Sequence, residues 1–189
     1  MAEAPSAQEN EEESTGFTEI NDEKNYLNLA LLIFILLLVI GLTSRLGWWP
    51  VSATAVPPRW ESKLAQAALQ ASLFRQAAGL TNPLSPSNEI LMAGLKSFKM
   101  NWAGCHGVPG QPSQWGTRNF YPRVPQFADN PPHLSAPQMF VAIKHGIRYS
   151  GMGGWDGMMT DEEIWKVATF LERIGSLPAE VKTNWKAAQ

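Results

Sequence analysis

Residues 98–107 read Phe-Lys-Met-Asn-Trp-Ala-Gly-Cys-His-Gly, and the reading of the pair Cys105-His106 decides what this chain is. Cys105 is the single cysteine of 189 residues, which excludes an intramolecular disulfide and every multi-cysteine zinc pattern. The dipeptide alone carries little information, so its surroundings must supply the meaning. Upstream, residues 87–101 read as a helix, with Ser87 as N-cap and Ile90, Leu91, Gly94, Leu95 and Phe98 on one face. The thiol and imidazole therefore follow directly on a helix.

Downstream, Gly107 to Pro137 holds seven prolines in thirty-one residues with no sustained periodicity. An irregular stretch of that length inside a compact domain needs something other than regular elements to pack around. Residues 137–146 allow one short helix. Then comes Lys144-His145-Gly146-Ile147-Arg148-Tyr149-Ser150-Gly151-Met152-Gly153-Gly154-Trp155, and after it the best-marked helix of the chain. Thr160-Asp161-Glu162-Glu163 is a capping box, Ile164, Val167, Ala168, Leu171 and Ile174 form the apolar stripe, and Gly175 and Pro178 end it.

This order of parts resembles the small soluble class of c-type cytochromes, over about residues 85–178. In that family a helix leads into C-x-x-C-H, whose two thiols bind the haem vinyl groups and whose histidine binds iron. Trp102 stands here where the first cysteine would be. The resemblance extends to the rarer single-cysteine members, which keep the cysteine beside the histidine. It implies an all-α, class I cytochrome c fold and one haem c held by a single thioether through Cys105. It further implies His106 and Met152 as the iron ligands, with one vinyl left free near Trp102. Met152-Gly153 replaces the family's usual Met-Pro. Gly94 and Phe98 match the small and aromatic positions where the family's first helix meets its last, against Trp165 or Leu171 here.

Within this reading Arg118, Arg123 and Tyr121, together with Trp115, are candidate donors to the haem propionates, since Arg suits paired carboxylates. Arg118 and Arg123 read equally well as solvated surface charges. Trp155 is a further donor or a packing residue. The carbonyl near Val108-Pro109 is the expected acceptor for the proximal imidazole N–H. Among other methionines, Met92 and Met139 read as helix core, Met100 is a weaker candidate, and Met158 and Met159 are the runners-up to Met152. His133 reads as a surface residue and His145 as a helix-end residue facing the last carbonyls.

Working further outward, Lys24 and Arg45 enclose twenty uncharged residues, and Leu29 to Leu42 is wholly apolar. Twenty helical residues span about 30 Å, a bilayer's hydrocarbon thickness. The twelve Leu, Ile, Phe and Val residues of that stretch contribute roughly −4 to −7 kcal/mol of insertion free energy. Tyr26, Trp48 and Trp49 fit interfacial anchors. Ala53-Thr54-Ala55 resembles a leader cleavage site, but a leader begins short and basic whereas this chain begins long and acidic. Residues 1–24 carry eight acidic residues against Lys24 alone, and the remainder nine acids against fourteen bases.

The expected organisation is a disordered acidic tail at 1–25, a transmembrane helix at 26–49 and a linker at 50–84 with one helix at 59–78. The cytochrome domain covers 85–178 and a C-terminal tail 179–189. Arg45, Arg59 and Lys63 after the span favour a cytoplasmic C-terminal part by positive-inside counting. The resemblance overrides this, because haem attachment in the family takes place on the outer side of an energy-transducing membrane. The N-terminus is then cytoplasmic and the cytochrome domain periplasmic.

The expected function is single-electron transfer to or from a membrane redox complex. Such a partner is an oxidase, a quinol-oxidising complex or a photosynthetic reaction centre. The alternative is a haemless, cytochrome-like accessory subunit of such a complex. With both axial positions filled, a carrier is expected rather than an enzyme, a haem enzyme or sensor being the third reading. Scattered bases give no sign of nucleic-acid binding. Gly151 to Gly154 opens no helix after a strand, so no phosphate loop is present, and a small-molecule substrate is not expected.

Overall fold

The computed structural model describes residues 7–187, with side chains from Lys24 onward. Among the described residues the chain is helical, without a β-strand, and it divides into two compact units, Met1–Val51 and Ser52–Gln189.

The first unit is one helix, α1 (Ala7–Arg45). Its segment Lys24–Arg45 is long and apolar enough to cross a membrane and has no buried residue. A helix apolar on every side and uncovered on every side fits a single-pass anchor rather than a soluble core helix. At its end Thr43 Oγ1 donates to the Val39 carbonyl at 2.8 Å and accepts the Trp49 indole N–H at 3.1 Å. The polar stretch expected to lack structure continues this helix from Ala7. Its Glu, Gln and Ala residues are good helix formers, and the apolar segment supplies the nucleus on which they propagate. The expectation for residues 1–6 lies outside the described residues.

The second unit begins with α2 (Arg59–Gln76), followed by α3 (Asn88–Asn101), α4 (Ala103–His106), α5 (Gln114–Arg118), α6 (Ala136–His145), α7 (Asp161–Arg173), a 3-10 turn at Ile174–Ser176, and α8 (Ala179–Lys186). The caps read from sequence are made. Ser87 Oγ accepts the Ile90 N–H at 3.3 Å. Thr160 Oγ1 accepts the Glu163 N–H at 3.3 Å, and Glu163 Oε2 accepts the Thr160 N–H at 2.8 Å. The Thr160 N–H, and after it the Thr160 hydroxyl, which also donates to Glu163 Oε2, hold the Glu163 carboxyl below its usual range by stabilising its charged form.

The centre of the unit is the crossing of α3 with α7. A Cβ on Gly94 would run into the Lys166 carbonyl and Phe170 Cβ, so only glycine lets the backbones approach this closely. Phe98 lies one turn on, fully buried, with its ring 5.8 Å from Phe170. The expected partners Trp165 and Leu171 are corrected to Lys166 and Phe170: one residue on a helix turns the side chain by 100°, and Trp165 instead stacks on Phe140 of α6 at 4.2 Å and 15°. Burying Phe98, Ile164, Val167 and Phe170 stabilises the fold by roughly 1.5–3 kcal/mol each.

The expected C-terminal tail is α8 in this structure. Trp185 sits edge-on to both Phe98 and Phe170, 5.6 Å from each, and Val181 is fully buried. Eight residues with two core contacts are too short to show a period, which is why the sequence did not reveal the helix. The linker expectation also changes from Ser52 onward, because α2 packs on α6 and buries Leu73 in the common core. Trp185→Ala is expected to lower the unfolding free energy by about 3–5 kcal/mol, measured by urea denaturation of the detergent-solubilised chain.

Candidate functional site

The turn that carries Cys105 and His106 is built by α3's own end. The Trp102 carbonyl accepts the N–H groups of Cys105 at 2.9 Å and His106 at 2.8 Å, so α4 continues α3 after a bend at Trp102. Gly107, at φ 69°, ends it. Ser113 Oγ then donates to the Gly104 carbonyl at 2.5 Å, and a Cβ on Gly116 of α5 would strike the Cys105 carbonyl.

Gln126 ties the turn to the irregular stretch. Its Nε2 donates to the carbonyls of Cys105 at 3.0 Å and Val124 at 3.1 Å, while its Oε1 accepts the Ser113 N–H at 2.8 Å. One residue back, the Pro125 carbonyl lies 2.9 Å from His106 Nδ1. This is the acceptor expected near Val108-Pro109, and the correction has a simple cause. Val108 is engaged with Gln111 through both its N–H and its carbonyl, whereas Pro125 has no N–H and leaves its carbonyl to the ring.

Phe127 stacks on the imidazole at 4.3 Å and 12°, and its N–H donates to the His106 carbonyl at 3.3 Å. Burial lowers the His106 pKa, opposed in part by the Pro125 hydrogen bond. The ring is therefore neutral at pH 7, with its proton on Nδ1 and the lone pair on Nε2.

Met152 is held by a different device. The loop after α6 is clipped back on the helix end, where the Trp155 N–H donates to the Ile143 and Lys144 carbonyls at 3.1 and 3.0 Å and the Asp156 N–H to Lys144 at 3.0 Å. Gly146 and Gly154 lie so close that a Cβ on either would meet the other strand of the loop. Within it the Met152 carbonyl accepts the Ile147 N–H at 2.9 Å, and the Met152 N–H donates to Ser150 Oγ at 3.1 Å.

One cavity of about 1080 Å³ brings Trp102, Cys105, His106, Met152 and Trp155 together. Its wall is mainly apolar, with Phe98 and Ile143 from the core, Phe127 packed against it, and Leu69, Leu73 and Phe74 from α2. Trp102 and Trp155 lie with ring centroids 4.5 Å apart. Among the described residues the buried Trp102 Nε1–H has no hydrogen-bond partner, an arrangement that favours a ligand carrying an acceptor. A large apolar cavity, a neutral imidazole with a free Nε2, a thioether sulfur, a thiol and an unpaired N–H fit a haem.

The other candidates separate. Arg123 lines the cavity, but its guanidinium donates to the carbonyls of Ala53, Thr54, Ala55 and Phe120 at 2.5–3.0 Å. Tyr121 donates to Glu61 at 2.5 Å, and that bond raises its pKa. Arg118 and Trp115 are exposed on α5 and Trp115 packs on Phe120; neither they nor Tyr121 lines the cavity. Met139 and Met158 do, whereas Met92 and Met100 line a separate surface hollow. His133 is exposed at the cavity and His145 lies outside it. Phe127, Gln126 and the α2 residues carried no sequence signal, because no local period connects them to the Cys-His turn.

Residues 90–171 match a family described as cytochrome c oxidase, cbb3-type, subunit III. The match supports a c-type cytochrome. It runs from the first turn of α3 to Leu171 of α7, and so includes Cys105, His106 and Met152. The all-α architecture is consistent with a cytochrome c domain, and such a domain implies haem c and electron transfer. No curated protein and no solved structure matches the chain. Among the described residues no group of three or more His, Cys, Asp and Glu could hold a metal ion. Gln126→Leu removes the partners of the Ser113 N–H and the Cys105 carbonyl, and is expected to cost about 1–3 kcal/mol of unfolding free energy, read by thermal denaturation.

Proposed function

We propose that this chain is a membrane-anchored monohaem c-type cytochrome that passes single electrons to or from a membrane redox complex. The observation that carries the reading is the convergence of His106, Cys105 and Met152 on one apolar cavity, with the imidazole held in a single tautomer by Pro125. In this reading Cys105 would form the single thioether, His106 Nε2 and the Met152 sulfur would bind the iron, and Trp102 stands in the place of the first cysteine of the motif. The haem supplies a reversible ferrous/ferric couple, and axial His/Met ligation raises its potential.

The chain's own residues supply the rest. Phe127 and Pro125 orient the imidazole, the clipped loop presents Met152, and the apolar wall excludes water. Of the three proposed propionate donors, Arg118 is exposed and off the cavity, and Arg123 and Tyr121 donate to other partners. With both axial positions filled no open site is left for substrate, which supports a carrier. The family name supports an oxidase setting for the partner. The anchor at 26–49 would hold the cytochrome domain on the periplasmic face of the inner membrane, with the N-terminus in the cytoplasm, so donor and acceptor would be membrane neighbours.

A haem-stained gel band and a pyridine haemochrome spectrum of the full-length chain test this reading. The expected maximum lies between those of two-thioether and unattached haem, and Trp102→Cys is expected to move it to the two-thioether position. Absence of haem from band and native protein alike would make the chain a haemless accessory subunit. Met152→Ala is expected to lower the reduction potential and let the ferrous protein bind carbon monoxide. An unchanged potential by redox titration would move the ligand to another residue, Met158 first.

A further inference from the structure

We propose that α2 is a wall of the haem crevice, and that Arg123 and Tyr121 are the positioning residues that fasten it there. The inference rests on the haem reading above. It concerns a part of the chain that the family match, which begins at residue 90, does not cover.

α2 is largely an exposed helix, with one side chain fully in the core, Leu73 at 3% exposure. Leu69, Leu73 and Phe74 lie on the same cavity as His106 and Met152. Positions 69 and 73 are a turn apart and face one way, and Phe74 flanks them. A surface helix that turns three large apolar side chains toward a site is placed to exclude water from it.

Two sets of polar contacts hold the helix and its lead-in against the irregular stretch. Tyr121 donates to Glu61 in the first turn of α2. Arg123 satisfies three successive carbonyls of the lead-in, Ala53, Thr54 and Ala55, at 2.7–3.0 Å, and closes on its own turn through Phe120. A guanidinium that caps three carbonyls in a row leaves the preceding segment little freedom. The residues that sequence reading assigns to the propionates thus set the position of the wall.

The consequence follows from the dielectric. Water near a haem stabilises the ferric form, whose charge is higher, so a dry wall raises the potential and shields that edge from small oxidants. With α2 covering one side, exchange with a partner is confined to the remainder of the haem edge.

The test uses the full-length holoprotein in detergent. Leu69→Gln, and separately the pair Tyr121→Phe with Arg123→Gln, are expected to lower the reduction potential and speed oxidation by ferricyanide several-fold with the haem stain retained. Trp60→Ala, on the same helix but away from the cavity, is expected to change neither. Stained variants with unchanged potential and rate would overturn the wall and leave the haem reading intact, whereas a wild-type chain without haem would overturn that reading itself. Hydroxyl-radical footprinting of the wild-type holoprotein needs no variant to fold. Phe74 and Trp60 are 74% and 67% exposed in the polypeptide, so after correction for intrinsic reactivity a several-fold lower labelling of Phe74 supports the wall. Equal labelling overturns it.

Discussion

The crossing at Gly94 is the constraint on which the rest of the structure depends. Because nothing larger than hydrogen separates the α3 backbone from the Lys166 carbonyl, α3 and α7 are fixed in angle and register by main-chain contact. Phe98 and Phe170 fill the angle between them, and Trp185 closes it from α8. The end of α3 is then fixed in space, and with it the turn that carries Cys105 and His106. Interiors packed at this density transmit position rather than absorb it, so a site several turns away inherits the geometry of one glycine.

The polar contacts of the site do a second job. In the irregular stretch between α4 and α6 the main-chain groups lack helical partners, and each must be satisfied individually. Gln126 answers the Ser113 N–H and the Val124 carbonyl and ties in the Cys105 carbonyl of α4, Arg123 answers the Phe120 carbonyl and three carbonyls before α2, and the Pro125 carbonyl receives the imidazole. A segment that looks unstructured in sequence is in this way as determined as a helix, by side chains instead of a ladder. The apolar cavity it encloses could not persist beside flexible polar backbone.

What the sequence disclosed and what it withheld divide along the range of the interactions. Ser87, the Thr160–Glu163 box and the apolar stripes are local patterns within a few residues, and α3 and α7 followed from them. Cys105, His106 and Met152 were singled out by motif order, which carries across loops, and the fold brings them to one cavity. The Pro125 acceptor lies 19 residues from His106 and the Glu61 partner of Tyr121 lies 60 residues away, and no local pattern encodes such pairs. Arg123 illustrates the difficulty well. An arginine in a proline-rich stretch reads the same whether it meets a carboxylate or three backbone carbonyls, and only the fold distinguishes them. Val181 and Trp185 were missed for a related reason, since two apolar residues in eight make a helix only when a core is waiting for them.

The sandwich of Pro125 carbonyl, His106 and Phe127 has a further consequence in kinetics. A free histidine samples two tautomers, several rotamers and, near neutrality, a protonated form that binds no metal. Here the hydrogen bond selects the tautomer, the stacked ring selects the rotamer, and burial disfavours the proton. That selection is completed when the polypeptide folds. An incoming partner for Nε2 meets one nitrogen in one orientation, and the encounter loses little entropy to ordering the side chain.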